Sequence, residues 1–211
     1  MRVTASRGPG RPPAAKADET RRRILRAARQ VFSERGYDGA TFQAIAIRAD
    51  LTRPAINHYF PSKRALYREV VERTNELVMT AGIDEARRET TLMGRLAVFI
   101  AVAMKANSEY PSASAFLITN VLESQRHPEL SQTENDAVLV SREFLTLAVN
   151  DAIERGEVVA DIDVPALVET LLVVLCGVGF YAGYVRSAEE MAALIDMLRR
   201  VLGGRVWRSN A

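Results

Sequence analysis

Residues 41–60, TFQAIAIRADLTRPAINHYF, constrain this chain more than any other stretch. Phe42, Ile45, Ala46 and Ala49 recur at three- and four-residue spacing, which is one face of a helix. Leu51 follows in a tight turn, and Ile56, Tyr59 and Phe60 supply the buried side of a second short helix. Thr41 and Thr52 stand where a hydroxyl accepts from the unpaired N–H groups of a helix start. Pro54 falls in a first turn, where its missing N–H removes no intrahelical bond. Asp50 occupies the turn position that often takes a positive φ, which Asp tolerates less well than Gly but better than most residues. Such a pair is either an ordinary helical hairpin or a helix-turn-helix unit. The outward set on the second helix is Thr52, Arg53, Pro54, Ala55, Asn57 and His58. It offers a guanidinium, an amide and an imidazole with no carboxylate, a surface suited to base edges and phosphates. Double-stranded DNA is the favoured partner.

Charge divides the chain. Of its 28 Lys+Arg and 26 Asp+Glu, residues 1–73 hold 16 and 7, a net of +9, which leaves 12 and 19, a net of −7, for the rest. A basic third beside an acidic remainder implies two tasks, one of them facing a polyanion. Arg21, Arg22, Arg23, Arg26 and Arg29 also form the polar side of a first helix, which accounts for solubility. It does not account for an imbalance that ends where the two-helix unit ends.

A chain of 211 residues is long enough for a real core in one large or two small domains. Apolar residues recur at helical spacing and no segment alternates with period two, so the expected fold is all-α. An N-terminal three-helix helix-turn-helix domain should occupy residues 18–65, and a larger helical bundle with a dimerisation surface residues 66–211. Residues 1–17, rich in Gly, Pro, Ala and basic side chains, are expected to form a disordered basic arm. Within it, RGPGRPP at 7–13 resembles the Gly-Arg-Pro core of AT-hook arms, which would lay Arg7 and Arg11 in a narrow minor groove. A solubilising tail has the same composition. The first helix should run over 18–35 with Ile24, Leu25, Ala28, Val31 and Phe32 inward and Gly36 as C-cap. Pro61 and Ser62 stop the third helix and cap a fourth, which carries Leu66, Tyr67, Val70, Val71, Leu77 and Val78 inward. That fourth helix passes from the basic region into the acidic one and is the natural mechanical link. Further helices are expected near 91–108, 111–124, 133–156, 165–184 and 187–202. A capping box of Ser187 and Glu190 opens the last, and Gly203 and Gly204 end it.

The last two helices carry a quaternary expectation. Leu167, Leu171, Val174, Val178 and Tyr181 form one stripe of the penultimate helix, while Val168, Leu172, Leu175 and Gly179 form another. A helix apolar on two sides must be covered on two sides. The final helix offers Met191, Leu194, Ile195, Leu198 and Leu202. Pairing both helices with their symmetry mates gives a four-helix interface and a homodimer, against burial in a single monomeric bundle. The apolar run at 170–184 lies between Glu169 and Arg186 and is short for a bilayer, so a buried helix is expected and no membrane partner. One cysteine, Cys176, excludes an intramolecular disulfide and fits a reducing cytoplasm. No apolar stretch follows the basic first residues, so a secretory signal is not expected.

Three segments taken together, ILRAARQVFSERGY at 24–37, TFQAIA at 41–46 and HYFPSK at 58–63, resemble the tetracycline-repressor (TetR) family of transcriptional regulators. The resemblance covers roughly residues 24–71, and beyond them it extends to helical organisation only. It implies a ligand-responsive, sequence-specific DNA-binding regulator, a repressor released from its operator by a small apolar or amphipathic effector. Thr41, Tyr59 and Lys63 would meet the phosphate backbone. Arg53, Pro54, Ala55 and His58 would lie along the groove, with Gln43, Thr52 and Asn57 completing the DNA-binding set. Arg53 is the choice for guanine readout, because its fork matches the two acceptors of that base, a pairing that discriminates by about 1–3 kcal/mol. Two positions depart from the family pattern. Asp50 stands where a turn glycine is common, which suggests slight strain. Asn57 stands where a tyrosine is frequent, exchanging a phosphate contact for an amide able to pair with adenine. A dimer would hold its recognition helices about 34–36 Å apart. A small molecule in the helical half would shift the fourth helix and change that spacing.

Candidate pocket residues are Phe99, Ala103, Asn107, Tyr110, Phe116, Asn120, Phe144 and Leu147 on the middle helices, with Cys176, Phe180 and Tyr181 on the penultimate one. An apolar stripe with a few polar groups describes a core as well as a pocket. No cofactor and no catalytic set is expected. The chain has only His58 and His127, no Cys/His/carboxylate cluster at metal spacing, no Gly-rich phosphate loop and no Gly-x-Ser-x-Gly turn. His127, four residues after Glu123, fits a surface or capping group, and Cys176 fits an inert core thiol. An enzyme is therefore not expected. A nucleoid-type DNA binder would share the basic third but would not need the long helical half.

Overall fold

The structure, a computed structural model, describes residues 13–110, 112–130, 136–182 and 188–203, and every regular element among them is helical. Arg7 and Arg11 lie outside the described residues, as do Ser187, Gly204 and the side chain of Leu202.

Helix α1 (Pro13–Gly39) starts five residues before the expected position, so residues 13–17 of the expected arm are helical. Pro13 suits a first helical position, and the Ala14, Ala15, Lys16 and Ala17 that follow are strong helix formers. The regular path ends at Gly36, where φ is 68° and ψ −179°, a combination that is essentially glycine's alone. A Cβ at Gly36 would also stand 2.7 Å from Glu123 Oε1, so this glycine both ends the helix and admits its neighbour.

Helices α2 (Phe42–Arg48) and α3 (Arg53–Tyr59) are each opened by threonine. Thr41 Oγ1 accepts from the Ala44 N–H at 3.1 Å and Thr52 Oγ1 from the Ala55 N–H at 3.3 Å. Asp50 takes φ 51° in the turn between them, and Arg23 Nη2 donates to its carbonyl at 3.2 Å. The turn is thereby tied to α1. Helix α4 (Lys63–Asn75) begins at its Ser62 cap. Ile24, Val31, Phe32, Ile45, Ile56, Phe60, Leu66, Tyr67 and Val70 make one buried cluster. The boundary expected after residue 65 thus falls inside the core of the head, because the first two turns of α4 cover it. Phe116 and Leu130 enter the same cluster from far along the chain.

Helix α4 does not stop at the end of the head. A π-helical segment (Glu76–Thr80) and α5 (Ala81–Ala86) continue it. The body then adds α6 (Leu92–Glu109), α7 (Ala113–Arg126), a 3₁₀ turn (Pro128–Leu130), α8 (Ala137–Glu154), α9 (Val164–Tyr181) and α10 (Ala188–Leu202). Thr91, Asp136 and Asp163 cap α6, α8 and α9. Glu157 Oε2 accepts from the Leu92 N–H at 2.9 Å, satisfying one more donor at the start of α6. Val78, Met79, Leu96, Phe99, Leu117, Phe144, Leu145, Val149, Leu171 and Leu172 form the second buried cluster.

The last two helices correct the expected dimer stripe. Leu171 is 5% exposed and Met191 2%, both inside the subunit. Val174, Ile195 and Leu198 line a narrow crevice against Met93 and Leu96 of α6, and Val178 lines a cavity of the body. Leu167 and Leu194 are half-buried. The outward face of α9 is instead Ala166, Thr170, Val173, Gly177 and Phe180, spaced four, three, four and three apart. Val173 is 70% exposed and Phe180 51%, and α10 adds exposed Met197 and Val201. The helix has two apolar faces, and the stripe that the sequence assigned outward is turned toward the body, where α9 packs against α8, α7 and α6. By length and composition alone α9 could cross a membrane, but Val168, Leu171 and Leu172 pack it into the body core.

Candidate DNA interface, joint and ligand cavity

On the head, Thr41, Gln43, Thr52, Arg53, Pro54, Asn57 and His58 are exposed, and Ala55 and Tyr59 are half-buried. The fold makes this face by spending the apolar residues elsewhere: Ile45 and Ile56 are fully buried, which turns the polar remainder of α2 and α3 outward. The Thr41 and Thr52 hydroxyls accept from backbone, which leaves their protons available to phosphate oxygens. The Arg53 guanidinium makes no hydrogen bond or ion pair with a described residue. His58 packs edge-on against the Tyr59 ring at 5.4 Å. Two other head cations, Arg21 and Arg48, are already engaged. Arg21 pairs with Glu69, donates to the Tyr59 carbonyl at 3.4 Å and lies over the Phe60 ring. Arg48 makes a two-pronged pair with Glu34 at 2.8 and 2.7 Å, which holds the Glu34 carboxyl below its ordinary range.

Lys63 differs from expectation. Its ammonium donates to the Tyr37 carbonyl at 2.8 Å and the Asp38 carbonyl at 3.4 Å and sits over the Tyr37 ring. In this state it closes the end of α1 rather than standing free for phosphate.

Between head and body lies a joint that residue spacing did not reveal. The Tyr67 hydroxyl donates to Asn120 Oδ1 at 2.9 Å, both groups being buried. The Phe116 ring meets Tyr67 at 5.7 Å. Burial first, and the Glu123 charge second, push the Tyr67 phenol well above its ordinary pKa, so it remains a donor. His127 sits at the same joint, with Nε2 3.2 Å from Asp38 Oδ2 and its ring 5.2 Å from that of Tyr37. It is a connector between α1 and α7, beyond the surface or capping group expected of it.

The body holds a cavity of about 80 Å³ lined by Val78, Met79, Phe99, Ile100, Ala103, Met104, Leu117, Ile118, Leu172, Leu175 and Cys176, with Ser114 and Ser141 as polar groups. Of the expected pocket residues, Phe99, Ala103 and Cys176 line it. Phe144 packs behind Phe99, ring to ring at 5.8 Å. The others are corrected. Phe116 belongs to the head core and Asn120 to the joint. Asn107 Oδ1 accepts from the Ser114 N–H at 3.4 Å. Tyr110 lies over Arg29, away from the cavity. Leu147, Phe180 and Tyr181 are 53%, 51% and 48% exposed, on the outer faces of α8 and α9. Burial raises the pKa of the Cys176 thiol, as an inert core thiol requires. Val78 and Met79 belong to the π segment, so the cavity wall and the head share one rod.

Residues 24–70 match the family model described as bacterial regulatory proteins, tetR family. The chain is 27% identical over 190 residues to the HTH-type transcriptional regulator UidR of Escherichia coli K12, covering 89% of this chain and 93% of that one. Among solved structures, Salmonella enterica GusR superposes with TM-score 0.61 at 26% identity, covering 89% and 95% of the two chains. FadR from Bacillus subtilis, solved in complex with stearoyl-CoA, superposes with TM-score 0.66 at 19% identity, covering 86% and 96%. The helix-turn-helix geometry and the sequence match over that same head agree: residues 24–70 form a DNA-binding head of the tetR family type, and along most of its length the chain is similar to known transcriptional regulators.

Proposed function

We propose that the protein is a homodimeric repressor that leaves its operator when a small apolar or amphipathic molecule enters the body cavity. One observation carries the reading: Val78 and Met79, which wall the cavity, continue the rod that begins at Lys63 in the head. The cavity holds about 80 Å³, whereas bound small molecules occupy pockets of roughly 300–1,000 Å³. An effector must therefore push its walls apart, and the π segment is the wall attached to the DNA-reading head. Apolar lining with two serines favours a ligand with a hydrocarbon part and one or two polar atoms.

In this reading the DNA set is Thr41, Gln43, Thr52, Arg53, Pro54, Ala55, Asn57, His58 and Tyr59, with Lys63 joining once phosphate competes for its ammonium. The exposed faces of α9 and α10 meet their symmetry mates, and the dimer works on the genome in the cytoplasm. Coupling between such sites is typically about 1–3 kcal/mol and must be reciprocal. The test is fluorescence anisotropy on duplexes from the DNA flanking the gene, with and without medium- and long-chain fatty acids as probes. Saturable binding to one duplex, weakened five-fold or more by a probe, supports the proposal. Absence of sequence-selective binding over non-specific duplex defeats the regulator reading. Selective binding that enlarges on ligand addition would make the protein a ligand-dependent binder instead.

A further inference from the structure

Residues of α1, α4 and the start of the π segment, with Tyr110, line a cleft of about 870 Å³. Arg29 lies in it and is 4% exposed, and its Nε and Nη2 are buried without a hydrogen-bond partner. No carboxylate pairs with it among the described residues. Its neighbour is the Tyr110 ring, 5.4 Å from the guanidinium carbon, which covers one side of the group. A guanidinium taken out of water needs an anion or several carbonyls in exchange. Burial first, and the Arg26 charge next, loosen its hold on its proton, and Tyr110 offsets part of this. Arg22 and Arg26 line the same cleft, are exposed, and have no carboxylate partner among the described residues. The nearby carboxylates of Glu69 and Glu76 are taken up by Arg21 and Arg73. The remaining acids of the lining, Asp18 and Glu19, stand at the start of α1.

We propose that this cleft is a second small-molecule site, for a phosphate- or carboxylate-bearing anion, with Arg29 as its buried anchor and Arg22 and Arg26 at its mouth. Arginine suits the task because its planar fork meets two oxygens of either group at once. The Tyr110 ring swings aside as the anion takes its place beside the guanidinium. The site also has a route to the DNA-reading head. Glu76 and Leu77 line this cleft while Val78 and Met79 line the apolar cavity, so the π segment is a wall common to both. The proposal goes beyond the effector reading and does not rest on it.

Calorimetric titration of the full chain with sodium pyrophosphate and with sodium citrate, against sodium chloride at matched ionic strength, tests it. Saturable binding of at least one is expected, and the two arms tell phosphate from carboxylate. Arg29→Gln should weaken it at least ten-fold and Arg29→Lys less. Arg22→Gln with Arg26→Gln, at exposed positions that the fold does not need, should weaken it several-fold and decides the matter if Arg29→Gln does not fold. Ala103→Phe, which fills the apolar cavity, should leave anion binding intact, so failure of the effector reading is separable. No saturable binding beyond chloride, or equal affinity in Arg29→Gln and in the double variant, would overturn the site. Loss of anion binding in Arg53→Ala would place the anion on the recognition face and overturn it equally.

Discussion

Arg53 is a residue that the fold does not use. It is exposed at the start of α3 and has no hydrogen-bond or ion-pair partner among the described residues, so Arg53→Ala should leave thermal stability unchanged. It should lower discrimination at one base pair by about 1–3 kcal/mol, read as anisotropy across single-base operator variants. Equal loss on every duplex would make Arg53 a phosphate contact instead. Tyr67 is the opposite kind of residue. Tyr67→Phe strips the donor from buried Asn120 Oδ1, which should cost about 1–3 kcal/mol in urea unfolding. The raised pKa of the Cys176 thiol keeps it protonated near neutral pH. Labelling by a thiol reagent should therefore be far slower than for free cysteine at pH 7.5, and slower again with an effector in the cavity. The roles of Thr41, Asp50, Thr52 and Pro54 were legible because caps and turns depend on neighbours within four residues. Those of Phe116 and Asn120 were not. Helical spacing marks α7 as buried without saying that the head, rather than a ligand, covers that part of it.

In the proposed mechanism, the element that decides the behaviour of the protein is the rod of α4, the π segment and α5. A π turn inserts one residue into an α-helix and often accompanies function, and here it lies between DNA-reading head and cavity. No periodicity reading found it, because one inserted residue leaves inward-facing Val78 and Met79 compatible with an ordinary helix. Gly82 holds the rod close to α6: a Cβ there would be 2.9 Å from Phe99 Cδ2. Gly82→Ala should therefore push rod and α6 apart, at about 1–3 kcal/mol of stability. In the proposed mechanism an effector pushes on the same wall, so the variant should bind operator more weakly than wild type with no effector present. Unchanged affinity alongside lost stability would disconnect the rod from the head. The early start of α1 has a simpler origin, since a Gly/Pro-rich arm and a helix-forming Ala-Ala-Lys-Ala run meet at Pro13 and composition averages over both.

For the whole molecule, the composition of α9 foretold two apolar faces but not their assignment, which depends on where α6, α7 and α8 dock. The two faces make opposite predictions. Val173→Glu, on the exposed stripe, should give a folded monomer by analytical ultracentrifugation. Leu171→Glu, on the buried stripe, should unfold the body, because an unpaired carboxylate cannot be accommodated in an apolar core. If Val173→Glu remains dimeric, the interface lies elsewhere. The all-helical class and the division of charge were legible in the sequence because both are sums over many residues. The central claim is that two copies of the α3 face, held by that interface, read duplex DNA. Hydroxyl-radical footprinting of the protein on its operator tests it most directly. The account predicts two protected segments on one face of the duplex, centred about one helical turn or a small multiple of it apart, both lost in the Arg53→Ala, His58→Ala double variant. A footprint that is continuous, single or unaltered in that variant would contradict it.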